Sequence, residues 1–135
     1  MALPPDDQRR ADAYHAAEVR RQRREAPELV CLQVRHLDRQ TSLEGQPARI
    51  ETTEVRMEAR VLEVKRSATA LKVGQTVTVA FRRQVLLCPG EGFRNPMRLN
   101  VSDLVWAYLR QLGGDYGLAA GSGSMELCDP DRDAP

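Results

Sequence analysis

The sequence predicts a mainly β domain carrying an N-terminal helical arm, and three observations lead there. In residues 55–81, Val55, Met57, Ala59 and Val61 alternate with Arg56, Glu58 and Arg60, the period-two pattern of a strand with one buried face. After a corner containing Leu71, Lys72, Val73 and Gly74, the residues Val77, Val79 and Phe81 alternate with Thr76, Thr78 and Ala80, so a second strand of similar length follows. Ahead of both, residues 6–25 are rich in Ala, Arg, Glu and Gln, with Asp6 or Asp7 as N-cap and Pro27 just past the end, which is how a helix is punctuated.

The apolar face of that helix is thin, since Ala13, Tyr14, Ala17 and Val19 are small or scattered, so the helix is expected to dock weakly or to extend from the core. Its end carries Arg20, Arg21, Arg23 and Arg24, the sharpest basic cluster in the chain. These four are candidate contacts for a phosphate or an acidic partner. Equally, they are what a solvated helix end looks like, favoured by the macrodipole and by Asp12, Glu18 and Glu25 nearby. Residues 29–37 predict the first strand, with Val30, Leu32, Val34 and His36 on one face and Leu29, Cys31, Gln33, Arg35 and Leu37 on the other. Apolar residues on both faces suit a central strand of a closed sheet.

Residues 38–49 are polar, with Gly45 and Pro47, and read as a hairpin loop; Ile50 then leads into the central pair. Residues 84–96 begin apolar and break into Pro89, Gly90, Gly92 and Pro96, an irregular connection. Phe93 and Arg94 within it form either a contact site on a scaffolded loop or, for Phe93, a lid on the core. In residues 101–112, Val101, Leu104, Val105, Tyr108, Leu109 and Leu112 are spaced as on a helix, with Ser102 or Asp103 as cap and Gly113 as terminator. On pattern alone a helix wins there. As a strand the same stretch would be apolar on both faces and would turn through Gly113, Gly114 and Asp115 into Tyr116. Residues 119–124 are flexible in composition, residues 125–128 suit a short edge strand, and residues 129–135 read as a disordered tail. The expected organisation is an arm over residues 1–27, a β domain over 28–128 and the tail.

A chain of 135 residues has room for one such domain with a core. Twenty basic residues, all Arg except Lys65 and Lys72, are nearly cancelled by nineteen acids; the net charge of +1 creates no global field toward nucleic acid or a membrane surface. No run reaches the roughly 20 apolar residues of a transmembrane helix. The start, Met1 through Asp7, lacks the basic and apolar regions of a secretory signal. The expectation is a cytoplasmic protein as the sequence stands, periplasmic or secreted if a leader has been removed. Cys31, Cys88 and Cys128 fit neither a disulfide framework nor a zinc knuckle: one bridge plus one free thiol, or three reduced thiols in a cytosolic protein. His15 and His36 share no spacing with a cysteine or with metal ligands. No phosphate-cradling loop, paired acid-base set or nucleophile constellation stands out, so neither a cofactor nor an enzyme is expected.

The order of parts nevertheless resembles a known type. A strand of the form A-x-V-x-x-V, here Ala59, Val61 and Val64, precedes L-x-x-G-x-x-V-x-V, here Leu71, Gly74, Val77 and Val79. A later G-x-x-Y-x-A-Y-L corresponds to residues 102–109, and a closing Y-x-x-A-x-G-x-S to Tyr116, Ala119, Gly121 and Ser122 or Ser124. Over residues 28–127 this resembles the netrin-type module of the tissue inhibitors of metalloproteinases and, more closely, small bacterial proteins of that type without an assigned activity. The resemblance implies a five-stranded OB-like Greek-key barrel, and with it a strand instead of a helix over residues 104–110. Two departures stand out: Ser102 occupies the Gly position, and the first cysteine, Cys31, lies inside a predicted strand and not at the N-terminus, so zinc-chelating inhibition is not carried over.

The expected function is a non-catalytic binding domain, a monomer or weak oligomer that contacts an unknown protein partner through loops and the arm. Single-stranded nucleic acid binding is the alternative, since OB barrels often serve it. It needs exposed aromatics amid positive charge, whereas this chain has few aromatics and mixes signs at Arg56, Glu58 and Arg60. An enzyme using Asp103, Asp115 or Glu126 as acid or base comes third.

Overall fold

The computed structural model describes residues 5–45, 49–87 and 99–128. Helix α1 spans Pro5–Glu25 and ends before Pro27, as the sequence predicts; Asp6 and Asp7, expected as N-cap, lie inside its first turn. Six strands follow: β1 Glu28–Glu44, β2 Arg49–Ser67, β3 Thr76–Leu87, β4 Leu104–Leu112, β5 Asp115–Leu118 and β6 Met125–Leu127, with a 3-10 turn at Gly121–Gly123. The chain is therefore mainly β. Strand β1 pairs with β2, β2 with β3, β3 with β5, β5 with β4, and β4 returns to β1, so five strands make a ring. Strand β6 lies on the same edge of β4 as β5, alongside Val105, Trp106 and Ala107.

The ring curls because its longest pair is irregular. Between β1 and β2 the register slips at Leu29/Val30, Cys31/Leu32 and Val34/His36, and each extra residue bends its strand and increases the local twist. Side chains inside the ring form the main core, with Val30, Leu32, Val34, Met57, Ala59, Val61, Val79, Val105, Ala107 and Leu109 all at most 1% exposed. On the outer face of β1 and β4 a second cluster gathers Ala26, Leu29, Cys31, Trp106 and Tyr108. Both faces of β1 are apolar for that reason: one fills the ring and the other lies beneath the chain leaving α1.

Three expectations are corrected. Residues 38–44, expected as a loop, continue β1 and pair with β2 through Glu44↔Ile50. They read as a loop because this end of the sheet extends past the ring and is mostly exposed, so burial imposes no alternation on it. Residues 84–87, expected in the irregular connection, complete β3 against Arg49 through Thr52. Residues 101–112 are not the helix that their spacing favours: β4 pairs with β1 on one edge and with β5 and β6 on the other. Its apolar residues serve two cores on opposite faces, which imitates helical spacing in a short window. The strand implied by the resemblance is the one found.

Residues 119–124 are also ordered by pairing, against their composition. Tyr108 donates its N–H to Ser124 O at 2.8 Å and accepts from Ala119 N at 3.0 Å, which fills the interval between β5 and β6 along β4. Ser124 Oγ, buried, accepts from Ala120 N at 2.8 Å. Among the described side chains of α1, those that meet the β domain lie in its last turns. A Cβ at Gly123 would come within 2.6 Å of Val19 Cγ1, so glycine there is what lets the helix approach. Residues 9–17 of the helix are exposed throughout, which matches its thin apolar face.

Candidate functional site

The ring is closed very unevenly. Strands β2 and β3 pair from Arg60↔Thr76 to Arg49↔Leu87, whereas β3 and β5 meet in one parallel bridge, Val79↔Tyr116. Beyond that bridge, residues 81–87 of β3 have no strand partner on the edge away from β2 among the described residues. Strand β6 likewise has β4 on one edge and no described strand on the other. Between these two edges lies a groove of about 570 Å³.

Phe81, Leu99, Val105, Leu118 and Met125 line the groove and belong to the main core or pack against it, so it opens directly onto the interior. Leu112 and Leu127, at its rim, are 53% and 61% exposed, an apolar lip left in water. Among the described residues the charge lining it is of one sign: Arg82, Arg83 and Arg110 line it, with no acidic residue beside them. Arg82 is held by Glu54 at 2.9 Å. Arg110 is exposed and makes no ion pair among the described residues. A concave apolar lining with a few fixed polar groups at its edge is the usual form of a binding site.

The seam beside the groove is secured by side chains. Glu28, at the start of β1, is fully buried and accepts from Ser67 Oγ at 2.5 Å, Thr69 Oγ1 at 2.6 Å, Ala68 N at 3.1 Å and Thr69 N at 3.2 Å. Burial alone would push its carboxyl up, but these hydrogen bonds outweigh it and hold the group below the usual carboxylate range. Thr69 Oγ1 also lies 2.7 Å from Tyr116 Oη, so a polar chain runs from β1 through the turn after β2 to β5. Leu71 N donates to Ser67 Oγ at 2.9 Å, which ties that turn down further.

The basic cluster is divided by the structure. Arg23 is a docking residue: it donates to Gly123 O at 2.8 Å and Glu126 Oε1 at 2.9 Å, and lies 5.0 Å from the Tyr108 ring centroid. Arg21 is paired with Glu18 and, at 2.7 Å, with Glu25 on the helix itself. Arg20 and Arg24 are exposed on α1 and take part in neither arrangement. Phe93 and Arg94 lie outside the described residues. Asp103, Asp115 and Glu126 are not brought together: Asp103 Oδ2 accepts from Asn100 N at 2.8 Å, Asp115 pairs with Arg56 at 3.4 Å, and Glu126 holds Arg23. His36 pairs with Asp38 at 3.2 Å on the surface, and no group of metal-binding side chains occurs among the described residues.

No family model, curated protein or solved structure matches the chain. No helix among the described residues is long and apolar enough to cross a membrane.

Sequence reading missed the groove because its lining is drawn from four strands, from Leu99 and from Gly121, segments that only ring closure brings together. The available signal was Leu112 and Leu127, apolar residues at strand ends that no core claims.

Proposed function

We propose that the chain is a non-catalytic binding module that takes an extended, acidic and apolar peptide segment of a protein partner into the groove between β3 and β6. The fold carrying it is read as the OB-like Greek-key barrel that the netrin-type resemblance implies. The ring order β1–β2–β3–β5–β4–β1, with one thin seam, supports a five-stranded, partly open barrel of that kind.

One observation carries the binding role: an apolar groove bounded by two strand edges, with the exposed cation of Arg110 at its rim. Such edges accept another strand through main-chain hydrogen bonds, while alternate side chains enter the groove and supply specificity. Acidic side chains on the opposite face of the guest strand reach Arg110 and the neighbouring Arg82 and Arg83. The arm then serves as a support, since Arg23 holds the β6 wall through Glu126.

The nucleic-acid alternative is less well supported. Strands β1, β2 and β3 place Asp38, Glu54, Arg39, Arg56 and Arg82 around one depression, where the signs are mixed. Trp106, Tyr108 and Tyr116 are buried, and Tyr14 on the helix is the exposed aromatic among the described residues, so no row of stacking platforms forms.

The test is selection from a displayed library of random peptides on the full chain, followed by anisotropy of the enriched peptides. Alternating apolar and acidic sequences are expected, with at least tenfold weaker binding to Arg110→Glu and Leu127→Asp at unchanged melting temperature. Enrichment of sequences that bind both variants as tightly as the original chain would place the contact elsewhere.

A further inference from the structure

Cys31 and Cys128 are 97 residues apart in the chain, yet their Sγ atoms lie 3.4 Å apart. Cys31 is buried in β1, opposite Trp106 of β4; Trp106 is in turn opposite Glu126 of β6, two residues before Cys128. Cys128 follows the end of β6, is half-buried, and is tied to β4 by its N–H to Leu104 O at 2.8 Å. Both belong to the outer cluster around Trp106 and Tyr108. Three strands thus deliver two thiols to one point, a meeting no local sequence pattern announces.

We propose that Cys31 and Cys128 are a disulfide site, closed by thiol–disulfide exchange with a low-molecular-weight disulfide, which staples the chain end after β6 across β4 onto β1. Both residues are free thiols in the structure. Closing the bond brings the sulfurs from 3.4 Å to about 2.05 Å, a shift that the end of the three-residue strand β6 is placed to absorb. The more accessible Cys128 attacks first, as thiolate: its sulfur bonds to one sulfur of the incoming disulfide, whose S–S bond breaks and releases one thiol. Cys31 then loses its proton, displaces the second thiol from Cys128, and the protein S–S bond forms. Two protein S–H bonds have been lost, the pair has given up two electrons, and the small disulfide has become two thiols.

Order of attack follows from environment. Burial, with Cys128 and Glu63 adding to it, pushes the Cys31 thiol up to about 12, so Cys31 is the slow, resolving partner and an unreactive thiol on its own. In a reducing compartment the pair stays open; in an oxidising one it closes. Closure also fixes β6 as a wall of the groove. That consequence rests on the proposed binding role, whereas the bridge itself does not.

The experiment uses the full chain with Cys88→Ser, which removes the third thiol from competition, reduced and then equilibrated in glutathione buffers of rising oxidised fraction. The expected product is a mass loss of about 2 Da, with one cross-linked peptide pair containing Cys31 and Cys128 on non-reducing mapping. Its melting temperature should rise by about 5 °C or more over the reduced form, because the bridge closes a loop of nearly the whole domain. Cys128→Ser, at the half-buried end, should lose both the cross-link and the shift. A stable mixed disulfide of Cys128 with glutathione, or two free thiols throughout the series, would overturn the proposal. Peptide binding measured on the oxidised and reduced forms is a separate readout: failure there with the cross-link present would count against the groove, not against the bridge.

Discussion

Strands β1, β2 and β3 run together through full-length ladders, while β3 and β5 close the other side of the ring with one bridge. The two sides share one core, so the contrast lies in what holds each. On the first side backbone hydrogen bonds and side-chain burial act together. At the seam few ladder bonds exist, and closure depends on side chains: Val79 and Tyr116 packed into the core, and the chain Glu28, Thr69, Tyr116 crossing from β1 to β5. A ring built this way is firm where it is paired and accessible where it is sewn, and the groove lies along the sewn side.

The hardest blow to that contrast falls on the paired side. Leu32 is fully buried in the first half of β1, where it lies opposite both Val61 of β2 and Val105 of β4. Leu32→Ala is expected to destabilise the fold by about 3 kcal/mol, the lost burial plus the cavity left behind. Denaturant unfolding should remain a single transition, with amides of β1, β2 and β5 losing protection together. If β5 and β6 instead melted separately while β1 and β2 stayed protected, the two sides would not share a core.

Glu28 tests the sewn side. Glu28→Gln keeps the shape but places an amide where four donors converge, and should cost about 2 kcal/mol near neutral pH. The pH dependence has a definite sign. A carboxyl held below its unfolded value contributes stability above that unfolded value, about 4.3, and loses it as pH falls through the lower folded value. The melting temperature of the original chain should therefore fall more steeply below about pH 4 than that of Glu28→Gln, so the two curves converge in acid. Parallel curves would remove the Glu28 network from the account of closure.

This division also explains what was legible in the sequence. Strand β2 and the start of β3 alternate cleanly because Met57, Ala59, Val61, Val77 and Val79 face one core while their neighbours face water. Helix α1 was legible from its composition and from Pro27 just past its end, which need no tertiary partner. Residues 101–112 were ambiguous because β4 serves two cores, and residues 38–44 because they serve none. The groove and the Cys31–Cys128 pair arise only from ring closure, which no window of sequence contains. Ser102 is an intermediate case: the sequence marks it only as a departure from the pattern it was compared with, and its physical meaning comes from the backbone.

The gentlest test is at that residue, where the chain passes from the groove lining at Leu99 to the paired side at β4. Ser102 has φ of 77°, in the left-handed region, and its N–H donates to Val34 O at 2.7 Å. One residue on, Asp103 O accepts from Val34 N at 2.9 Å, so the strained turn is locked to the paired side through both polar groups of Val34. A side chain in that conformation costs about 1–2 kcal/mol, and glycine removes the cost while adding roughly 0.5–1 kcal/mol of chain entropy to the unfolded state. Ser102→Gly is therefore expected to stabilise the fold by about 0.5 kcal/mol, read as a small rise in denaturation midpoint at constant slope. A loss of 1 kcal/mol or more would mean that the serine side chain, not the backbone geometry, holds the turn where the two sides of the ring join.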